Sequence, residues 1–563
     1  MRRSTSIFSL VISAFVVALG LGVVAQEPGA LQKAFVATAW LSASIALACL
    51  TARPLLALVT SALTLTFIKA LALLKEAYWQ ASLMPSDFYY FAGHNLDVLR
   101  LYPHFVVALS TAAATAALVT WSAVTADARY TRSVCSRWRV ATRLQMGGAF
   151  AVLCVATVCL RGPFEPLQQK GLWARLSDTA HLTNFLLNAR AMRVTLPPMA
   201  RDLVARDGWA QEPQSEADAA APYPDIVEVL EESTFDPLTF SACTIPQCHA
   251  DMFLPDARTL SHGLLRTHLF GGGTWCSEFT VHTGMPHDIF GPSGSYAPMA
   301  LAPRTQTTLP KWLKSLGYVT AAIFPVEGTF MGARGAYAAY GFDHFYDAPD
   351  LHLRAWLTPD AELFRAAKRV YDDLRRTGKP VFLFVMTAAQ HGPHTRVPME
   401  ALPAPYNSNL MRHLPAEQAL NWSNYLARLH ASGEGLRELE SLFLGRPEPT
   451  VLAWFGDHLA SFGGLLRQME RQLPAGMEPY EQYTTNYMIK SNTGGPNLDT
   501  YPLLDIAYFP SMILDAARVP HGPYFEALRR LRRRCDGMYQ ECAEPGLLQS
   551  YHAWTLGTLK VFI

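Results

Sequence analysis

Charge is scarce in this chain. Only 17% of its 563 residues are charged, and 47 basic against 46 acidic residues leave a net charge of +1. So even a balance gives no electrostatic footprint for nucleic acid. Internal repeats are absent, which sets aside a repeat architecture. Long apolar runs are absent as well, but only beyond about residue 160. Half of all residues are hydrophobic, and they crowd the front of the chain. A membrane part followed by an exported, water-facing part is the simplest division.

Five apolar stretches fill that front: Ile7–Ala25, Ala34–Leu50, Leu55–Leu74, Phe105–Trp121 and Leu144–Leu160. Each is near the ~20 residues that cross a bilayer as a helix. Lys69 is the one clear charge inside a span, fit to snorkel or to line a polar cavity. Arg2 and Arg3 precede the first span, and Arg129, Arg132, Arg137, Arg139 and Arg143 lie around the loop between the fourth and fifth. Basic loops stay cytoplasmic. Five spans that start inside finish outside, so everything after about Arg161 is expected to face the periplasm or the cell exterior. Cys243 with Cys248, and Cys535 with Cys542, are close in sequence there, as two local disulfides would be in an oxidising compartment. Cys276 is then left over.

The expected organisation is a five-helix membrane domain over 1–161, juxtamembrane helices and a linker over 162–224, and a catalytic domain over 225–563. Residues 162–210 read either as a helix on the lipid surface or as packing against the soluble domain. Gln211–Pro224 is polar and rich in Ala and Pro, as linkers are. Beyond it, apolar runs at Asp225–Leu230, Tyr318–Phe324, Pro380–Ala389 and Thr450–Phe455 alternate with amphipathic helical segments. That alternation predicts an α/β domain around a largely parallel sheet.

Polar residues gather where those runs end. Glu231 and Glu232 follow the first, His391 and His394 the third, and Asp457 and His458 the fourth. In open α/β sheets the ligand site lies beyond the carboxyl ends of the strands. Carboxylates with imidazole suit a divalent cation. Such a cation would activate the hydroxyl of Thr274, which comes after three glycines in "GGGTWCSEF". Those glycines alone would mean no more than a turn; four such pieces in order along one domain mean more.

The stretches "VLEESTFDP", "GGGTWCSEF", "GFDHFYD", "QHGPH" and "FGDH" lie between about residues 225 and 460. On them the sequence resembles the sulfatase-like branch of the alkaline-phosphatase superfamily that holds lipoteichoic acid synthases and periplasmic glucan phosphoglycerol transferases. Lipid A phosphoethanolamine transferases resemble it more distantly. The resemblance implies an alkaline-phosphatase-type fold and a divalent metal (Mn, Zn or Mg) on Glu232, Thr274, Asp457 and His458. It makes Thr274 the nucleophile, His391 a phosphate ligand or proton donor, and Arg334 the grip on the lipid phosphate. His394 joins the substrate-binding residues.

The implied reaction moves phosphoglycerol from phosphatidylglycerol to an envelope glycan or lipid acceptor through a phospho-threonine, at the bacterial inner membrane. The alternatives are phosphoethanolamine transfer from phosphatidylethanolamine, an exported phosphodiesterase or sulfatase-like hydrolase, and a non-catalytic scaffold. The formylglycine signature of sulfate-ester hydrolases, Cys or Ser then Pro two later and Arg four later, is missing at Cys243 and Cys276. The chain also departs from its relatives at Pro325, where many carry a catalytic histidine. His344, His394 and His282 are the candidates to replace it. His249, His262, His268 and His287 read as structural or surface histidines.

Overall fold

The computed structural model describes all residues except 1, 80, 91–102, 131–137, 161–179, 190–191, 211–221, 497 and 563. Arg132 and Arg137 of the basic loop, and most of the expected linker, thus lie outside the described residues. The chain forms two compact units, Met1–Arg193 with Gly291–Ser293, and Val194–Phe290 with Gly294–Ile563.

In the first unit every expected apolar stretch is helical. The helices are α1 (Arg2–Ala25), α2 (Ala30–Thr51), α3 (Pro54–Trp79), α5 (Pro103–Tyr130) and α6 (Val140–Leu160), with the short α4 (Pro85–Tyr90) after α3. Among the described residues four of them, α2, α3, α5 and α6, are long and apolar enough to cross a membrane; the apolar part of α1, Leu10–Ala25, is shorter. Val107, Trp121, Val152 and Leu160 are each more than half exposed, an apolar exterior that lipid would cover.

Lys69 does not snorkel. It is buried, and its Nζ lies 3.2 Å from Nδ1 of His181, whose Nε2 lies 2.7 Å from Glu76 Oε2. Lys69 has only protons to give, so Nδ1 accepts and Nε2–H donates. His181 opens α7 (His181–Leu187). Glu27 closes the N-terminus of that helix, accepting from Leu182 N and Thr183 N at 3.1 Å each. The sequence offered lipid or the soluble domain as the seat of this segment; α7 instead packs on the membrane helices, with Leu182 inside their apolar core.

The second unit is built on an eight-stranded sheet in the order β4-β3-β5-β1-β6-β7-β2-β8. The strands are β1 (Asp225–Glu231), β2 (Thr259–Arg266), β3 (Val319–Ile323), β4 (His344–Tyr346), β5 (Val381–Met386), β6 (Thr450–Gly456), β7 (Thr484–Ser491) and β8 (Leu504–Asp505). Only β7 runs antiparallel to its neighbours. The four runs expected from sequence are the four adjacent central strands β3, β5, β1 and β6. Side chains alternate across the sheet. Ile226 and Leu230 therefore enter one apolar core, and Val227 and Val229 enter the other. Helices cover both faces, as parallel sheets require. Both expected disulfides, Cys243–Cys248 and Cys535–Cys542, are formed. Cys276 is a buried free thiol.

Candidate active site

Three strand ends and one helix start converge. β1 ends at Glu231, and the two residues at the end of the strand point to opposite faces. Glu231 turns towards Asp360 and Thr387, and burial with the Asp360 charge raises its pKa well above the usual range. Glu232 faces the other way and meets Thr274. Ser233 holds a left-handed φ of 50°, uncommon for a side chain other than glycine. The bend is held from outside: Ser233 N–H donates to Asp457 Oδ1 at 2.7 Å, and its hydroxyl donates to Glu232 Oε1 at 2.8 Å.

Thr274 begins α8 (Thr274–Thr283). Gly271 and Gly273 before it have φ of 73° and 94°, conformations that a side chain would strain. The chain can thus turn Thr274 onto the strand ends. Its Oγ1 donates to Glu232 Oε2 at 3.0 Å and lies 3.3 Å from His458 Nε2. Ser277, one turn on, donates to the Asp457 carbonyl at 2.8 Å and ties the helix to the end of β6.

His458 Nδ1 lies 2.9 Å from the Leu459 carbonyl, which can only accept. The proton therefore sits on Nδ1, and Nε2 turns a lone pair inward. Asp457 Oδ2 is 3.1 Å from that nitrogen, buried, and receives no hydrogen bond. Burial first, then the charge of Glu232, pushes Asp457 up to about 7. Ligand atoms of Glu232, Asp457 and His458 all lie within 4.8 Å of one another. Lone pairs facing each other in a buried site call for a cation or a shared proton. The donor set fits a divalent metal.

His391 stands beside this group. Its Nδ1 donates to the Gly392 carbonyl at 2.9 Å, leaving Nε2 as an acceptor. Burial lowers its pKa, against the pull of Glu232. The Trp356 ring lies 4.7 Å from the His391 ring and packs edge-on against Phe330. Trp356 has a φ of 65°, a bulky residue in the left-handed region. No motif pointed to it.

The other expected residues lie elsewhere. Arg334 is engaged by Asp347 at 2.7 Å and Asp350 at 2.9 Å, over the Phe345 ring, and no hydrogen bond joins it to the Thr274 group. His394 is buried against Tyr425 and Phe462. His282 is sealed among Tyr337, Tyr340, Phe342 and Phe384, neither nitrogen bonded, and burial lowers it to about 3. His344 sits exposed on the edge strand β4. Among the described residues, none of the three replaces the histidine missing at Pro325 by contact with Thr274.

A profile of the sulfatase family matches residues 224–519. The chain belongs to the sulfatase family. An uncharacterized protein of Haemophilus influenzae is 28% identical over 353 residues, covering 60% of this chain and 62% of that one. A putative cyclic beta-1,2-glucan modification protein of Rhizobium meliloti is 27% identical over 318 residues, covering 54% of this chain and 47% of its own. The chain thus spans less than two thirds of the length of either relative. Among solved structures, the Streptococcus pyogenes phosphoglycerol transferase GacH, in complex with sn-glycerol-1-phosphate, superposes with a TM-score of 0.50 at 17% identity. That match covers 66% of this chain and 99% of the other, and it shows a shared fold.

In this sulfatase-family site the approach to Thr274 is braced by a buried histidine. His268, six residues upstream, has Nδ1 3.0 Å from Asp288 and Nε2 2.8 Å from Asp505. Asp288 lies just past the end of α8, so the imidazole ties the chain entering the helix to the chain leaving it. Burial works to lower the His268 pKa, but the two carboxylates outweigh it and hold it at about 9. The folded value lies above the unfolded 6.5, so the stabilisation is full below pH ~6.5 and fades as pH rises through ~9. Unfolding followed from pH 6 to 10 is expected to lose about 3 kcal/mol more in the wild type than in His268→Gln. Parallel curves would rule the ion clamp out.

Proposed function

We propose that the chain is a metal-dependent phosphotransferase of the bacterial inner membrane. It moves the phosphoglycerol headgroup of phosphatidylglycerol onto an envelope glycan or lipid, with the domain from residue 225 on facing the periplasm. The observation that carries this reading is the Thr274 hydroxyl held between Glu232 Oε2 and His458 Nε2, beside the buried Asp457 Oδ2. The name of the Rhizobium relative supports a glycan acceptor, and the apolar helices support a chain that can stay with its lipid.

Glu232, Asp457, His458 and Thr274 would hold the metal. A divalent cation there lowers the hydroxyl's pKa and offsets phosphate charge. Thr274 Oγ1 attacks phosphorus, the bond from phosphorus to the diacylglycerol oxygen breaks, and the hydroxyl proton passes by way of Glu232 Oε2 to that departing oxygen. A phosphoglycerol-threonine remains. An acceptor hydroxyl then attacks the same phosphorus, His391 Nε2 takes its proton, the bond from phosphorus to Thr274 Oγ1 breaks, and that proton passes on to Thr274 Oγ1, which leaves both side chains as they began. Splitting one displacement into two returns the enzyme unchanged.

Detergent-purified protein with added Mn2+ is offered phosphatidylglycerol or phosphatidylethanolamine with fluorescent acyl chains. Release of fluorescent diacylglycerol from the first at least about tenfold faster than from the second is expected. The reverse preference makes the chain a phosphoethanolamine transferase. Release from neither, in protein shown to hold metal, removes the lipid-donor reading and leaves a hydrolase of soluble esters.

A further inference from the structure

The turn that carries His391 is held by two guanidinium groups. Arg396 donates to the Gly392 carbonyl at 3.2 Å, the same oxygen that receives His391 Nδ1–H. Arg428, from the helix Ala416–Leu444, donates to the His391 carbonyl at 3.1 Å and to the Pro393 carbonyl at 3.3 Å. Two cations thus share a three-residue turn. Among the described residues neither has a carboxylate within ion-pair distance, although half of the arginines of this unit do. Arg428 is lowered to about 10, by burial first and then by the charge of Arg396. Like charges set side by side without a counter-ion are costly, and an anion between them would relieve that cost.

Three features say what the anion is for. Arg396 is exposed and spends one N–H on a carbonyl, so the rest of its donor fork is open. It sits on the Nδ1 side of His391, while Nε2 is the atom left open. Arg334, by contrast, is already neutralised by Asp347 and Asp350.

We propose that Arg396, backed by Arg428, forms an anion subsite at the His391 turn that takes a phosphate ester, and that Arg396 rather than Arg334 supplies the guanidinium that grips it. The chemistry is that of a guanidinium fork on phosphate oxygens, with no bond made or broken there. A cationic headgroup would be disfavoured beside two arginines, so the subsite also leans towards phosphoglycerol over phosphoethanolamine. The role within the reaction rests on the transferase reading; the anion subsite itself does not.

Metal-loaded wild type, Arg396→Gln, Arg396→Lys and Arg334→Gln are assayed for diacylglycerol release from micellar fluorescent phosphatidylglycerol, and for inhibition by glycerol phosphate. Arg396 is exposed, so its variants are expected to fold, and an unchanged melting temperature checks this. For Arg396→Gln a rise in KM of about tenfold with kcat within about twofold is expected, with partial rescue in Arg396→Lys and a smaller effect in Arg334→Gln. That result places the donor's phosphodiester in the subsite. An unchanged donor KM with inhibition by glycerol phosphate weakened about tenfold places a free phosphate ester there and still supports the subsite. Unchanged KM and unchanged inhibition overturn it, as does a larger KM effect from Arg334→Gln. Should the wild type release no diacylglycerol, the transferase reading fails separately. Calorimetric binding of glycerol phosphate to wild type and Arg396→Gln then decides the subsite, equal affinities counting against it.

Discussion

Replacing Thr274 by alanine is expected to lower diacylglycerol release by at least about a thousandfold, a loss of about 4 kcal/mol of transition-state stabilisation. The size comes from where the hydroxyl sits. Among the described residues it is the one hydroxyl bonded to both Glu232 Oε2 and His458 Nε2, at 3.0 and 3.3 Å. Without it, the first step has no attacking atom, and a water in its place lacks the fixed aim that the start of α8 gives. Thr274→Ser keeps the hydroxyl but not the β-branch that limits its rotamers, so partial activity is expected to survive. The covalent step has a second signature. Wild-type protein quenched during turnover should gain the mass of one phosphoglycerol group on the peptide that holds Thr274, and the alanine variant should not. Activity within tenfold of wild type in Thr274→Ala, with no adduct in either, would make Thr274 only a metal ligand or a structural residue.

Much of this site is legible in the sequence because its parts ride on the most buried strands. β5 and β6 are nearly continuous apolar runs and β1 is one interrupted by Glu228; all three are buried on both faces, and a short polar motif stands after each. Strand ends in a parallel sheet must meet, so Glu232, His391, Asp457 and His458 could be read as neighbours without coordinates. The edge of the sheet is a different case. β2 mixes serine, histidine and glycine with leucine and is only partly buried, and β7 reads "TTNYMIKS", so neither shows a clear period. Trp356, Arg396 and Arg428 carry no motif at all; loops and a helix from separate parts of the sheet bring them to one turn. His282 shows the opposite failure. It is one of three histidines the sequence offers to replace the one missing at Pro325, but an aromatic box from β5, the Phe342 turn and the Tyr337 helix encloses it. Spacing along a helix says which face a residue takes, not what the face meets.

The second large effect concerns Asp457. Metal-free protein must bury two carboxylates side by side, and Asp457 is raised to about 7 in consequence. Its folded value lies above the unfolded 3.8, so the folded state holds a proton that the unfolded chain gives up. In chelator, wild-type stability should therefore fall as pH climbs from about 4 through about 7. Asp457→Asn removes the charge and should flatten that slope, leaving the variant at least as stable as wild type at pH 7.5. Adding Mn2+ reverses the order. A cation at a hundred times its dissociation constant stabilises the wild type by about 2.7 kcal/mol, whereas the amide is a poor ligand and should gain little. Melting curves of both proteins, with and without metal, read the crossing directly and need no assay of turnover. Retained metal in Asp457→Asn, or a wild type that melts identically with and without Mn2+, would remove Asp457 from the ligand set. It would then be an acid that shares a proton with His458. The crossing matters because burial alone can explain a raised carboxyl, whereas stabilisation by Mn2+ that depends on Asp457 requires the carboxylate as a ligand.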